Sequence, residues 1–150
     1  MNIQSSAFKY NEAIPEKYTC DGEEINPPLT FSDVPQTAQS LALTMTDPDA
    51  PSGGWVHWVV WNINPKTSEV AEGSIPDNGI QGQTSAMEAG GPVYGYGGPC
   101  PPSGTHRYVF RLYALDSMMD IDIETGVNEL KEAMRGHVIA ESELIGTCTR

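Results

Sequence analysis

The nine residues WVHWVVWNI, Trp55–Ile63, are apolar on both faces. Such a run marks a central strand covered on both sides. By strict alternation His57 falls on the face of Trp55, Val59 and Trp61. Upstream, SLALTMTD (Ser40–Asp47) puts Leu41, Leu43, Met45 and Asp47 on one face and Ala42, Thr44 and Thr46 on the other. Its apolar face therefore ends in a carboxylate, just where Pro48 stops the strand. Downstream, THRYVFRLYAL (Thr105–Leu115) is a third strand. There His106, Tyr108, Phe110 and Leu112 share one face, and Arg107, Val109, Arg111 and Tyr113 the other.

The flanks complete the pattern. The first 35 residues are turn-rich, punctuated by Asp21-Gly22 and Asn26-Pro27-Pro28, with one short strand within 29–34. Residues 64–104 read as a long irregular stretch rich in Gly and Pro, the mark of a shaped functional loop. Towards the C-terminus Val127, Leu130 and Met134 have helical spacing, with Gly136 as the stop. A second short helix is predicted over 138–145. Strands first and helices last imply a mainly β chain, an antiparallel β-sandwich with short C-terminal helices.

A chain of 150 residues suits one domain, 1–150, and is long enough to bury a core. Its net charge of −12 disfavours nucleic acid and anionic membrane surfaces as partners. Any anion site must therefore act at contact distance. No apolar run approaches the roughly 20 residues of a membrane span. The first residues lack a basic stretch followed by an apolar core, so no signal segment is expected. The three cysteines, Cys20, Cys100 and Cys148, are odd in number and widely spaced. This argues against a disulfide framework and for a reduced, cytoplasmic protein.

The chemistry-bearing residues cluster at the strand ends. His57 and His106 lie in apolar strands, where an imidazole needs hydrogen-bond partners. Both, like Asp47, adjoin Pro/Gly loops, so the three converge at one end of the sheet. Asp47-Pro48-Asp49-Ala50-Pro51 is stiff and presents two carboxylates in fixed directions. In Tyr96-Gly97-Gly98-Pro99-Cys100-Pro101-Pro102, the glycines are expected to offer backbone N–H donors to an oxyanion. The stretch lacks the Lys and the following helix of a P-loop. His137, beyond the helix stop, reads as structural.

Three ordered motifs carry a resemblance: Asp47-Pro-Asp-Ala-Pro51, Trp55-Val-His57-Trp-Val-Val, and Tyr96-Gly-Gly-Pro-Cys-Pro-Pro-Ser-Gly-Thr-His106-Arg-Tyr-Val-Phe. Together they resemble the phosphatidylethanolamine-binding protein family, also called Raf-kinase-inhibitor-like. Tyr18-Thr-Cys-Asp-Gly22, Tyr113-Ala-Leu-Asp116 and Met134-Arg-Gly-His-Val-Ile-Ala140 are similar to its compact bacterial and archaeal branch. The resemblance implies a Greek-key β-sandwich with an anion pocket at one end. It implies that Asp47, His57, His106 and Tyr108 line that pocket, that Trp55, Pro51, Gly98 and Pro101 wall it, and that Asp49 and Arg107 pair behind it. Residues 82–92 depart from the pattern: Thr84 stands where an Asn is expected.

The resemblance implies a non-catalytic protein without cofactor or metal. It would bind a small anion such as phosphate or a phosphoethanolamine-like head group, as a regulator or inhibitor of a kinase or protease, and as a homodimer. Two other classes compete. Asp47, His57 and His106 form a two-His, one-carboxylate set suited to a metal-dependent enzyme. A weaker hydrolase variant uses Cys100 as nucleophile with His106. The third reading is a protein–protein regulator whose pocket is vestigial.

Overall fold

The computed structural model describes residues 1–150. Ten strands and one α-helix follow one another: β1 (Asn2–Gln4), β2 (Leu29–Ser32), β3 (Ser40–Asp47), β4 (Trp55–Ile63), β5 (Glu69–Val70), β6 (Ile80–Gln81), β7 (Gln83–Glu88), β8 (Gly91–Tyr94), β9 (Thr105–Leu115), α1 (Val127–Met134) and β10 (Val138–Thr149). Five strands form the main sheet in the order β10-β9-β3-β4-β6, and β1-β2-β5 form a smaller one. Every paired strand is antiparallel. The three strands read from hydrophobic patterning lie side by side at the centre of the main sheet.

The core sits between the sheets. Ile3, Leu29, Phe31 and Val70 from the small sheet join Leu41, Leu43, Met45, Trp58, Val60, Tyr108, Phe110 and Leu112 from the large one. This is the sandwich that the alternating strands require, each burying one face against the other sheet. The opposite face of the large sheet is also covered. Ala42, Val59, Trp61, Tyr113 and Leu115 pack with Leu130 and Met134 of α1. Double coverage explains why β4 has almost no polar residue. Gly136 takes φ +79° just after α1, a left-handed stop that only glycine adopts without strain.

Two expectations are corrected here. Residues 138–145 form part of β10, not a second helix. Ala, Glu and Leu favour helix locally, but β9 offers an open edge, and β10 pairs along it from Leu115 to Thr105. Tertiary hydrogen bonding overrides weak propensity. The stretch 64–104 is also less irregular than its glycines and prolines suggest, since β5 to β8 lie within it.

A third correction concerns the cysteines. Cys20 and Cys100 form a disulfide with their Cα atoms 5.5 Å apart, and Cys148 alone is free. An odd count leaves room for one bond, and partners 80 residues apart leave no local signal. Cys100 is therefore not a free thiolate in this structure, which removes it as a candidate nucleophile.

One irregularity positions the site. In the β3–β4 ladder Met45 lies opposite Trp58 and Thr46 opposite Val56. One step on β3 spans two on β4, so His57 is the extra residue of a β-bulge. The bulge breaks the alternation. Val59 and Trp61 face the helix side, whereas His57 lies edge-on to Tyr108 with ring centroids 5.2 Å apart. Strict alternation grouped His57 with Val59 and Trp61; the bulge turns it to the other face.

Candidate functional site

The ends of β3, β4 and β9 meet around a cavity of about 530 Å³. The structure brings together there all eight residues singled out by sequence: Asp47, Pro51, Trp55, His57, Gly98, Pro101, His106 and Tyr108. Asp47, His57 and His106 are nearly buried, at 3%, 7% and 7% exposure.

Asp47 organises the floor. Its Oδ1 accepts the Asp49 backbone N–H at 2.8 Å, closing the turn that follows β3. Its Oδ2 lies 2.7 Å from His106 Nδ1. Facing a carboxylate, Nδ1 is the donor, which leaves Nε2 as the ring nitrogen open to a ligand. His57 is held in the same way: Nδ1 lies 2.9 Å from the Gly97 carbonyl oxygen, which can only accept. Two imidazoles are thus fixed in orientation by different partners.

The ionisation pattern follows from burial. Desolvation pushes the His57 imidazole below its ordinary value, although the Gly97 carbonyl and Asp47 pull it up. Burial raises the Tyr108 phenol far above the usual tyrosine range, and the charge of Asp47 adds to this. Tyr108 therefore stays protonated. Its hydroxyl is buried and makes no hydrogen bond of good geometry, with Asp47 and the Cys100 backbone beside it. Such an orphan donor costs about 1–3 kcal/mol.

Asp49 and Arg107 lie behind the cavity. The Arg107 guanidinium reaches Asp49 through Nε at 3.0 Å and Nη2 at 2.9 Å, and the Arg107 backbone N–H donates to the same carboxylate at 2.9 Å. These donors hold the Asp49 carboxyl well down, at about 2. The fork ties the Asp-Pro-Asp turn to β9.

The glycines act differently from the expectation. The Gly97 N–H donates to the His57 carbonyl, and the Gly98 N–H donates to Glu24 Oε1 at 3.2 Å. Neither is free for an oxyanion. Gly98 is required for closeness instead: a Cβ there would lie 2.9 Å from the Tyr18 carbonyl oxygen.

Sequence reasoning missed Glu24 and Cys20, which also line the cavity, and named Cys100, which lines it too, only as a nucleophile. Glu24 follows the Asp21-Gly22 turn with a left-handed φ of +57° and is held at the cavity by the Gly98 N–H, 74 residues away. No periodicity signals that. Thr84 donates its hydroxyl to the Val93 carbonyl, and from the same hairpin Ala86 reaches the cavity. His137 pairs with Asp116 at 2.8 Å and takes no part in the site. No group of three or more His, Cys, Asp or Glu side chains is placed to hold a metal ion. Asp47, His57 and His106 share the cavity without forming a ligand set.

A two-sheet antiparallel sandwich with a cavity at the strand ends, where a few polar side chains converge among apolar walls, describes a ligand-binding fold. A model of the phosphatidylethanolamine-binding protein family matches residues 4–149. The UPF0098 protein of Methanothermobacter thermautotrophicus is 47% identical over 155 residues, covering 100% of this chain and 99% of its own. The UPF0098 protein of Chlamydia trachomatis is 45% identical, covering 98% and 97%. Among solved structures, a putative phosphatidylethanolamine-binding protein homologue from Chlamydia trachomatis superposes with a TM-score of 0.92 at 44% identity, covering 99% and 97%. YbcL of E. coli, described as a new member of the mammalian family, reaches 0.87 at 28% identity, covering 99% and 98%. The chain belongs to the phosphatidylethanolamine-binding protein family.

Proposed function

We propose that this chain is a non-catalytic binder of small phosphate-bearing ligands, with the oxyanion held by His57, His106 and Tyr108. The observation that carries this reading is the buried, unpartnered Tyr108 hydroxyl, in a cavity shared with two imidazoles whose Nδ1 atoms are already engaged. Three groups then remain for ligand oxygens: two Nε2 atoms and one phenol. Trp55, Pro51, Gly98 and Pro101 wall the space. A phosphoethanolamine-like head group suits it, with phosphate on the imidazole side and its amine on a carboxylate.

The same chemistry would take a phosphorylated side chain of a kinase or protease partner, which is the regulatory role that the resemblance implies. Binding as a cytoplasmic homodimer belongs to the same reading. Catalysis is not part of this reading, and the one nucleophile candidate, Cys100, is held in a disulfide.

Carboxylates beside an anion favour acid conditions. The His57 value is lowered by burial, so the ring gains its proton only below the ordinary histidine range of about 6.5. Phosphate binding measured by calorimetry is expected to be stronger at pH 5 than at pH 8.5. Sulfate, dianionic at both, separates imidazole protonation from ligand protonation. Equal phosphate affinity at the two pH values removes histidine charge from the mechanism. Undiminished affinity in both His57→Ala and His106→Ala overturns the site.

A further inference from the structure

The cavity wall contains a covalent bond that the ligand-binding reading does not use. Cys20 lies in the turn after Tyr18 and Cys100 in the loop before β9, and both line the cavity. The disulfide is one stitch in a seam between these segments. The Tyr96 hydroxyl donates to the Tyr18 carbonyl at 2.8 Å, the Cys20 N–H to the Pro99 carbonyl at 3.1 Å, and the Gly98 N–H to Glu24 at 3.2 Å. The seam sets where Glu24, Gly98 and Pro101 stand, and hence the shape of one side of the cavity.

The bond is placed to be reduced. Cys100 is exposed at the surface. The Arg150 guanidinium lies 3.6 Å from Cys100 Sγ and 3.7 Å from Cys20 Sγ, anchored by Asp21. A cation on both sulfurs stabilises the thiolates that reduction produces. Stabilising the leaving thiolate speeds exchange and favours the reduced form, and exposed disulfides of this kind are the labile ones. Cys148 is no rival for the exchange. Burial pushes its thiol up, despite the opposing charge of Arg150, so it remains protonated, and the reductant must come from outside.

We propose that Cys20–Cys100 is a redox-active site, reduced by a dithiol protein or small dithiol, and that its opening loosens the cavity and weakens oxyanion binding. A thiolate of the dithiol attacks the Sγ of Cys100, the more exposed residue of the pair. The S–S bond breaks and Cys20 leaves as a thiolate beside Arg150. The second thiolate of the reagent then attacks its own sulfur in the mixed disulfide and releases Cys100. Two electrons pass from the dithiol, which ends as a disulfide, to the protein, which ends with two thiols. The link between redox state and affinity rests on the cavity being the ligand site; reducibility does not.

The test uses the full chain, oxidised or treated with dithiothreitol under native conditions, with thiols counted by mass after alkylation. Reduction is expected within minutes without denaturant, and is expected to slow several-fold in Arg150→Ala. Calorimetry with inorganic phosphate is expected to show affinity weaker by roughly tenfold in the reduced protein and in Cys20→Ser/Cys100→Ser, because a preorganised wall is lost. Cys148→Ser should behave as the parent. Reduction only under unfolding conditions, or at an unchanged rate in Arg150→Ala, overturns the redox site. Equal phosphate affinity in both redox states overturns the gating and leaves the binding function standing. If the oxidised protein takes no phosphate, the binding function fails. Gating is then judged by the tryptophan fluorescence, with Trp55→Phe to assign the part due to the cavity wall, and by the histidine ring resonances: a change on reduction supports a loosened wall, and no change rejects it.

Discussion

Tyr108 carries the sharpest consequence at the scale of one residue. Its ring is wholly buried and its hydroxyl is unpaired. Removing that oxygen takes away an unsatisfied donor and leaves the ring packing intact. Tyr108→Phe should therefore leave the ligand-free protein as stable as before, or more stable by up to about 1 kcal/mol. The same change should weaken phosphate binding by roughly tenfold, the loss of one hydrogen bond to a charged group. Urea unfolding and calorimetry on one preparation measure both; loss of stability without loss of affinity would mean a structural hydroxyl. His57 gives the pH dependence. Its imidazole is lowered by burial, so the folded state binds its proton less readily than the unfolded chain. Its contribution to stability is complete above the unfolded value of about 6.5 and declines as pH falls through the region between that value and the lower folded one. Thermal unfolding of the ligand-free protein between pH 8 and 5 should show this decline, and phosphate should reduce it.

At the scale of elements, legibility tracked the strength of local patterning. β3, β4 and β9 could be read to the residue because each is a long apolar run with Pro or Gly at one end, Pro48 after β3, Gly54 before β4 and Gly104 before β9. β10 was mistaken for a helix because its first half is mostly exposed and rich in helix-forming residues. Its strand character is testable at Gly146, opposite Tyr108 on β9. A Cβ there would lie 2.5 Å from Ile14 Cγ1 and 2.8 Å from the Phe8 ring. Gly146→Ala should cost about 1–3 kcal/mol by overpacking. Were 138–145 a helix, Gly146 would lie just past its exposed end and the substitution would meet no packed side chain, so no overpacking cost would appear. The β4 bulge was hidden for a related reason. A one-residue register slip leaves no mark in the strand that carries it, yet it decides which face His57 joins.

For the whole molecule, the disulfide and the charge act over the longest range. Joining residues 80 apart in sequence closes a large loop in the unfolded chain, worth about 4.5 kcal/mol by chain entropy. Cys20→Ser/Cys100→Ser should thus lose up to this amount in urea unfolding while keeping the far-ultraviolet signature of the sandwich. An unchanged midpoint would mean that the bond is not formed in the protein as prepared. The net charge of −12 opposes the approach of any anion and is screened by salt. It sets a long-range cost that the local donors of the cavity must overcome, which makes the orientation of the two imidazoles by Asp47 and Gly97 the more important.

Sequence by itself determined the three central strands, the buried faces of β3 and β9, and the motifs whose side chains meet where those strands end. This information is local, because alternation, chain-stiffening prolines and strand-ending carboxylates are all expressed within a few residues. Only the tertiary structure decided that His57 turns inward, that Glu24 enters the cavity, that Gly97 and Gly98 have already committed their N–H groups, and that Cys20 bonds Cys100. Each of these depends on a partner at least 40 residues away or on a single register slip between strands, and no short window of sequence records either.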